Sequence, residues 1–222
     1  MMMCLAAPLL AMSAVAAAAT STDSYTPVVF MHGINGGPED FNTLIANLNK
    51  THPGQELHAL DVFSHAVSFL PIWDQVPHIA TVLRSLTAGY DSYHLVCHSQ
   101  GGIVCRALVE TMSDHKVSKF VSLAGVQQGV RGIPGSYAKY LPGWLQNVTD
   151  DDAYKVLYTD LGQSISFGNY WHDPAPAARE LYLKCVRACV CEWVRAGTGI
   201  LQNGAETPRP LPLVLIGRGR AP

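Results

Sequence analysis

The sequence predicts one α/β domain, in which helices flank a mostly parallel sheet. Short apolar runs alternate with longer segments whose apolar residues recur every three or four positions, the pattern of strands alternating with helices. The chain has 222 residues, of which 48% are hydrophobic, enough for one large core. Near its middle, an apolar run passes through a turn of small residues directly into a helical pattern, as in a βα unit of such a sheet.

Charged residues make up only 14% of the chain, against about 25% in an average soluble domain, and the net charge is −2. This composition excludes a disordered chain, a coiled coil and a histone-like basic protein. A chain of this charge has no feature that favours nucleic acid, so we expect no nucleic-acid partner.

The first 19 residues carry no charged side chain, and residues 16–19 are four alanines. An apolar stretch that ends in small residues is typical of a secretory signal peptide. A transmembrane anchor is the alternative, but the alanine-rich run is weakly apolar and no basic flank follows it. We therefore expect residues 1–19 to be cleaved, and a lysosomal or secreted protein without a transmembrane segment.

Two Asn-x-Thr sequons agree with that compartment, and both are predicted to lie in surface loops where Asn49 and Asn147 accept glycans. Five cysteines remain after the signal segment. An odd number leaves at least one thiol unpaired or paired with another chain. The partners of Cys185, Cys189 and Cys191 therefore stay undetermined.

Four apolar runs of strand length precede residue 125, and each fits a buried parallel strand. They cover residues 28–31, 57–62, 93–97 and 117–124. A fifth run, residues 212–217, has the same character near the end of the chain.

Helical patterns fill the segments between these runs. The first begins at Pro38, a residue suited to a first helical turn, and continues to about residue 48. The second covers residues 72–86 after Pro71, and Pro77 is predicted to interrupt and kink it. The third covers residues 101–112.

Composition divides the chain into four segments. Residues 1–19 are the signal segment and residues 20–184 the α/β domain, which we expect to be incomplete. Within that domain, residues 125–173 are rich in glycine, proline and aromatic residues. They are predicted to form a lid-like insertion over the C-terminal edge of the sheet, where such folds place their sites. Residues 185–222 form a divergent tail that either folds or stays disordered.

The strongest signal is the segment 95–102, Leu-Val-Cys-His-Ser-Gln-Gly-Gly, between a predicted strand and a predicted helix. It matches the G-x-S-x-G pattern of a nucleophile elbow, with Cys97 in the place of the first glycine. Such a turn lifts the serine hydroxyl above the sheet, and it requires small residues two positions before and after the serine. Cys97 and Gly101 meet that requirement. Ser99 is therefore the candidate nucleophile, and a polar residue in an ordinary βα turn is the alternative.

Two backbone N–H groups that stabilise an oxyanion belong to such a site. The elbow supplies the N–H of the residue after the serine, here Gln100. The second comes from a loop after an earlier strand. The glycine-rich segment after the first strand makes the N–H of Ile34 the candidate, and a simple glycine-rich turn is the alternative.

The chain resembles the palmitoyl-protein thioesterase family, and its lysosomal palmitoyl-protein thioesterase 2 branch most of all. The resemblance covers about residues 25–184. It is carried by residues 28–33, 51–54, 94–108 (HLVCHSQGGIVCRAL), 122–130 (SLAGVQQGV) and 169–174 (NYWHDP). It implies an α/β-hydrolase fold and a serine-dependent hydrolase of fatty-acyl thioesters, acyl-CoA or S-acylated peptides, that needs no cofactor or metal.

The resemblance also implies the roles given above for Ser99, Ile34 and Gln100, and a disulfide between Cys97 and Cys105. Two other functions stay open. One is a catalytically silent protein that binds acyl groups or a partner, and the other is an esterase or lipase acting on oxygen esters. The aromatic residues of the insertion either line an acyl groove or pack within the protein; they are Tyr137, Tyr140, Trp144, Tyr170 and Trp171.

The acid and base that such a serine requires follow it in the order Ser, Asp or Glu, His. After Ser99 the histidines are His115 and His172. His115 follows the third helix, so it is predicted to lie at the opposite end of the sheet. His98 is expected to point away from Ser99.

His172 would need an acid before it, and the aspartates at positions 150–152 and 160 fit a solvated surface. Residues 212–217 resemble the strand that leads to the acid in the family, but Arg218-Gly219-Arg220 follows without a carboxylate. We therefore leave the catalytic Asp and His unassigned and expect a truncated or divergent C-terminal part.

Overall fold

The computed structural model describes residues 25–132, 139–146, 148–149, 152–173 and 213–216. The predicted signal peptide, the sequon residue Asn147 and the cysteines at positions 185, 189 and 191 lie outside the described residues. So do Tyr137, Asp150 and Asp151.

The described strands form one parallel sheet in the order β2-β1-β3-β4-β5. The strands are β1 (Val28–Met31), β2 (Leu57–Ala59), β3 (Tyr93–His98), β4 (Val117–Leu123) and β5 (Leu213–Ile216). Their existence confirms all five predicted strands, although β2 ends earlier than the predicted residue 62. The chain leaves β1 to one side to form β2 and returns to the other side to form β3. Parallel α/β sheets bind ligands at such a reversal.

Helices pack on both faces of this sheet, which confirms the predicted fold class. The long helices are α1 (Asn42–Thr51), α2 (Ile72–Leu86) and α3 (Gln100–Thr111), with 3-10 helices at Pro38–Phe41 and His65–Phe69. The predicted interruption of α2 is wrong, because α2 continues through Pro77. Pro77 lies on the exposed face of α2, so its ring meets solvent rather than the sheet.

The core has two parts because side chains alternate across β1. Val29 and Met31 pack with α2 and α3 in the larger cluster. Val28 and Phe30 pack on the other face with Phe41 at the entry to α1. All four β1 residues are buried, as expected for a central strand covered on both faces.

The described residues between 139 and 173, within the predicted insertion, include four short helices. They are α4 (Gly143–Gln146), α5 (Ala153–Leu157), α6 (Asp160–Gln163) and α7 (Ser166–Asn169). The side-chain oxygen of Asn169 accepts a hydrogen bond of 2.8 Å from the backbone N–H of Ile72, which ties α7 to the start of α2. Tyr170 and Trp171 are buried in the core, so these two aromatic residues pack within the protein. Tyr140 is exposed and contacts Phe69.

Within the described residues, none of the helices has both the length and the apolar character needed to cross a bilayer.

The buried face of α2 should carry much of the stability of the domain. Ile79 is 0% exposed and Val82, on the same helix, is 42% exposed. We expect Ile79→Ala to lower the free energy of unfolding by about 2–5 kcal/mol, because it leaves a cavity between helix and sheet. The control Val82→Ala should change it by less than about 0.5 kcal/mol. Urea denaturation followed by circular dichroism measures both, and equal effects of the two substitutions would contradict this packing.

Candidate active site

Ser99 occupies a strained turn between β3 and α3. Its backbone angles are φ 52° and ψ −121°, a conformation that costs an L-residue of the order of 1–3 kcal/mol. The backbone on both sides is fixed: the N–H of Ser99 donates to the carbonyl of Leu123 at 2.9 Å, and its carbonyl accepts from the N–H of Gly102 at 2.9 Å. A residue with positive φ between a strand and a helix is the backbone geometry that a nucleophile elbow requires.

Two glycines allow the backbone segments around Ser99 to approach closely. A Cβ atom on Gly101 would lie 2.4 Å from the carbonyl oxygen of His32 and 2.7 Å from that of Met31, both backbone atoms. A Cβ atom on Gly33 would lie 2.9 Å from the Cβ of Ser99. The loop after β1 therefore touches the elbow directly, and position 101 admits no side chain.

Cys97 and Cys105 form a disulfide across the elbow. The two residues are 0% exposed, their Cα atoms are 6.5 Å apart, and the S–S distance is 1.96 Å. The bond connects β3 to α3 over an eight-residue separation that contains Ser99. It is the pairing that the family resemblance implies.

The backbone N–H groups of Ile34 and Gln100 flank Ser99. Gln100 is the first residue of α3, and its N–H belongs to the first turn, where helices leave N–H groups without an internal partner. Ile34 follows Gly33, the residue that touches Ser99. Within the described residues neither N–H donates to a protein acceptor. Both groups can therefore donate to a ligand atom.

His32 holds the loop after β1 from inside. The residue is 1% exposed; its Nδ1 lies 2.9 Å from the carbonyl oxygen of Gly33, and its Nε2 lies 3.1 Å from that of Val62. The sequence gives no sign of this role for His32, because residues 62–70 carry no motif that connects them to this loop.

A cavity of about 480 Å³ opens beside Ser99. Its wall includes apolar side chains from the loop and from the entry to α1, namely Ile34, Phe41 and Leu44, and Leu123 from β4. Among the described residues on the wall, Asp40 and His98 carry ionisable side chains. His98 Nδ1 lies 3.5 Å from the position of a Cβ on Gly33, and no hydrogen bond joins His98 to Ser99 within the described part. That its side chain points away from Ser99 stays a prediction.

The remaining candidate acids and bases lie elsewhere. His115 follows α3 and lines a separate cavity of about 270 Å³ with Tyr93, the first residue of β3, so it is at the end of the sheet opposite Ser99 as predicted. His172 is exposed, and its N–H donates to Val130. The exposed Asp152 pairs with Lys155, which lowers the pKa of the carboxyl group, as expected for a surface ion pair.

The described residues also bear on metal binding and on one predicted glycan site. No set of three or more His, Cys, Asp or Glu side chains in the described parts of the chain is arranged to hold a metal. Asn49 is exposed, but it lies in α1 rather than in the predicted loop, two residues before the helix ends at Thr51.

The family model and the curated relatives that match this chain point to the same family. A family model described as palmitoyl protein thioesterase matches residues 27–187. Lysosomal thioesterase PPT2 from Homo sapiens is 38% identical over 168 residues, which cover 75% of this chain and 54% of the human protein. Its homolog from Drosophila melanogaster is 31% identical, over 72% of this chain and 54% of the fly protein. The chain thus spans about half the length of the curated relatives it matches.

Solved structures with a similar arrangement include two lipases. The mature lipase BlEst2 from Bacillus licheniformis is 22% identical, with a TM-score of 0.45, over 64% of this chain and 57% of that one. A monoacylglycerol lipase from Paleococcus ferrophilus is 18% identical, with a TM-score of 0.44, over 86% of this chain and 74% of that one.

The close approach at the elbow makes a steric prediction. Gly101→Ala should lower the free energy of unfolding by about 1–3 kcal/mol, because the new Cβ meets two backbone carbonyls that cannot rotate away. Gly89→Ala is the matched control, since no atom lies within 4 Å of a Cβ at that position. Guanidinium denaturation compares the two variants, and equal stability would mean that β1 and α3 are not in this contact.

Proposed function

The chain belongs to the palmitoyl protein thioesterase family, and from that premise we propose that it supplies the nucleophile and oxyanion hole of a serine-dependent hydrolase of fatty-acyl thioesters. Ser99 is the nucleophile. The N–H groups of Ile34 and Gln100 form the oxyanion hole.

One observation carries the proposal: the positive φ of Ser99 at the end of β3, with two N–H groups beside it that have no protein acceptor among the described residues. A strained serine that is only structural would gain nothing from these neighbours. A nucleophilic serine needs both, because its hydroxyl must be exposed and the oxyanion it creates must be stabilised at once.

The reaction proceeds in two steps. Ser99 Oγ attacks the thioester carbonyl carbon, and the negative charge that develops on the carbonyl oxygen is stabilised by the two N–H groups. The C–S bond then breaks, the thiol leaves with a proton, and the fatty acid remains bound to Ser99 as an oxygen ester. Water attacks this ester, which releases the fatty acid and restores the hydroxyl. We assign no described residue as the base that accepts the Ser99 proton.

The two steps of thioester hydrolysis place different demands on the site. A thiol has a pKa of about 8.5, so it leaves more readily than an alcohol. The first step therefore places most of its demand on activating Ser99 and stabilising the oxyanion. The second step resembles ordinary ester hydrolysis and needs the same oxyanion hole.

The substrates we propose are acyl-CoA or S-acylated peptides with a palmitoyl-type chain. The apolar wall formed by Ile34, Phe41, Leu44 and Leu123 gives the chain an apolar surface next to Ser99. We propose a lysosomal or secreted location. The names of the relatives, which are lysosomal thioesterases, and the signal-like composition of residues 1–19 support it.

A covalent probe tests the nucleophile. We expect a fluorophosphonate to label the peptide that contains Ser99, and we expect no labelling in Ser99→Ala. The same substitution should lower the rate of palmitoyl-CoA hydrolysis by at least about 1,000-fold. Ser85→Ala removes an exposed hydroxyl on α2 and serves as the control with unchanged rates. Mass spectrometry locates the label, and a thiol reagent measures the released CoA.

The outcomes separate the alternatives. No labelling and no hydrolysis would contradict the proposal and favour a protein that binds acyl groups without turnover. Faster hydrolysis of a palmitoyl oxygen ester than of palmitoyl-CoA would replace it by an esterase or lipase.

A further inference from the structure

We infer that Ser68 is a positioning residue that fixes both halves of the oxyanion hole at once. The inference rests on the proposed function, because it concerns how Ile34 and Gln100 are held beside Ser99. Ser68 lies in the 3-10 helix His65–Phe69, more than 30 residues away in sequence from either half, and it is 1% exposed.

The hydroxyl of Ser68 holds the loop half. Its Oγ accepts a hydrogen bond of 2.6 Å from the backbone N–H of Asn35 and donates one of 2.6 Å to the carbonyl of His65. Asn35, which directly follows Ile34, has a φ of 54°. Asparagine tolerates this left-handed conformation better than most residues, but it still requires a fixing contact. The hydrogen bond from the Asn35 N–H to Ser68 is such a contact, and it lies on the residue directly after Ile34.

The carbonyl of Ser68 holds the elbow half. It accepts a hydrogen bond of 2.8 Å from the side-chain amide of Gln100 and one of 3.0 Å from that of Gln75. Gln100 is 2% exposed and Gln75 is 0% exposed, so neither bond competes with bulk water. A single buried residue thus bonds the backbone beside one proposed oxyanion donor and the side chain of the other.

The segment around Ser68 is itself anchored at both ends. The N–H of His65 donates to the carbonyl of Gly36 at 2.7 Å, in the loop after β1. The amide of Gln75, in the first turns of α2, also donates to the carbonyl of Leu70 at 2.5 Å. Hydrogen bonds from the loop after β1 and from α2 therefore both hold the segment that contains Ser68.

Rigid placement matters for catalysis because an oxyanion hole works only when its donors already point at the developing charge. A shift of about 1 Å at a catalytic group can lower a rate by about 100-fold. Ser68→Ala removes the hydroxyl but keeps the carbonyl, so it releases the Ile34 side of the hole and leaves the Gln100 side bonded. We expect kcat for palmitoyl-CoA to fall about 10-fold and KM to change less than about twofold, since the donors act mainly in the transition state.

Ser166→Ala is the matched control. Ser166 is 0% exposed, and its hydroxyl has no hydrogen-bond partner within the described residues. Its removal should leave kcat and KM within about twofold of the wild type. A second variant, Gln75→Met, removes the amide that supports Ser68 and should lower kcat in the same direction, so the inference remains testable if Ser68→Ala does not fold.

Amide hydrogen exchange provides a readout that does not depend on turnover. In Ser68→Ala, exchange of the N–H groups of Asn35 and Gly36, which are hydrogen-bonded in the wild type, should be at least about 10-fold faster, and in Ser166→Ala it should be unchanged. A wild-type kcat in both Ser68→Ala and Gln75→Met would overturn the inference and leave the proposed function intact. If the wild-type chain does not hydrolyse palmitoyl-CoA, the proposed function fails. Exchange then decides the inference: faster exchange supports it, and unchanged exchange overturns it.

Discussion

The close contact of three backbone segments at Ser99 is the constraint on which the site depends. The end of β1, the end of β3 and the start of α3 meet with Gly33 and Gly101 between them, and side chains at those positions would collide with backbone atoms or with Ser99 itself. The contact forces Ser99 into the left-handed region of φ. It also places the loop after β1, which contains Ile34, beside the first turn of α3, which begins at Gln100.

This contact has to be maintained against the strain it creates. Buried apolar residues of β1 and β3 pack in one cluster beneath the site. The Cys97–Cys105 disulfide links β3 to α3 on either side of Ser99. Buried polar groups fix the loop after β1 by hydrogen bonds. His32 bonds it to residues 62–64, and Ser68 bonds both the loop and the side chain of Gln100. Polar groups are costly to bury unless they are bonded, so a network of this kind tends to specify one arrangement.

Patterns local in sequence predicted most of the fold and the centre of the site. The apolar runs located the strands, and the segment 95–102 located Ser99, because a strand, a sharp turn and a helix follow one another along the chain. Features that depend on contacts between distant segments of the chain were not predictable from local sequence patterns. The role of residues 62–70 emerges only when the loop after β1 folds against them. The continuity of α2 at Pro77 depends on which face of the helix meets solvent. The acid and base stay unassigned, because within the described residues no hydrogen bond joins Asp40 or His98, the ionisable residues of the cavity wall, to Ser99.

In the function proposed above, Ser99 attacks while the N–H groups of Ile34 and Gln100 stabilise the oxyanion. A crystal structure of the chain after reaction with a fluorophosphonate tests both roles together. We expect a covalent bond from Ser99 Oγ to phosphorus, with the phosphonyl oxygen about 2.7–3.1 Å from the backbone nitrogens of Ile34 and Gln100. An adduct on another residue, or a phosphonyl oxygen turned away from both nitrogens, would contradict it.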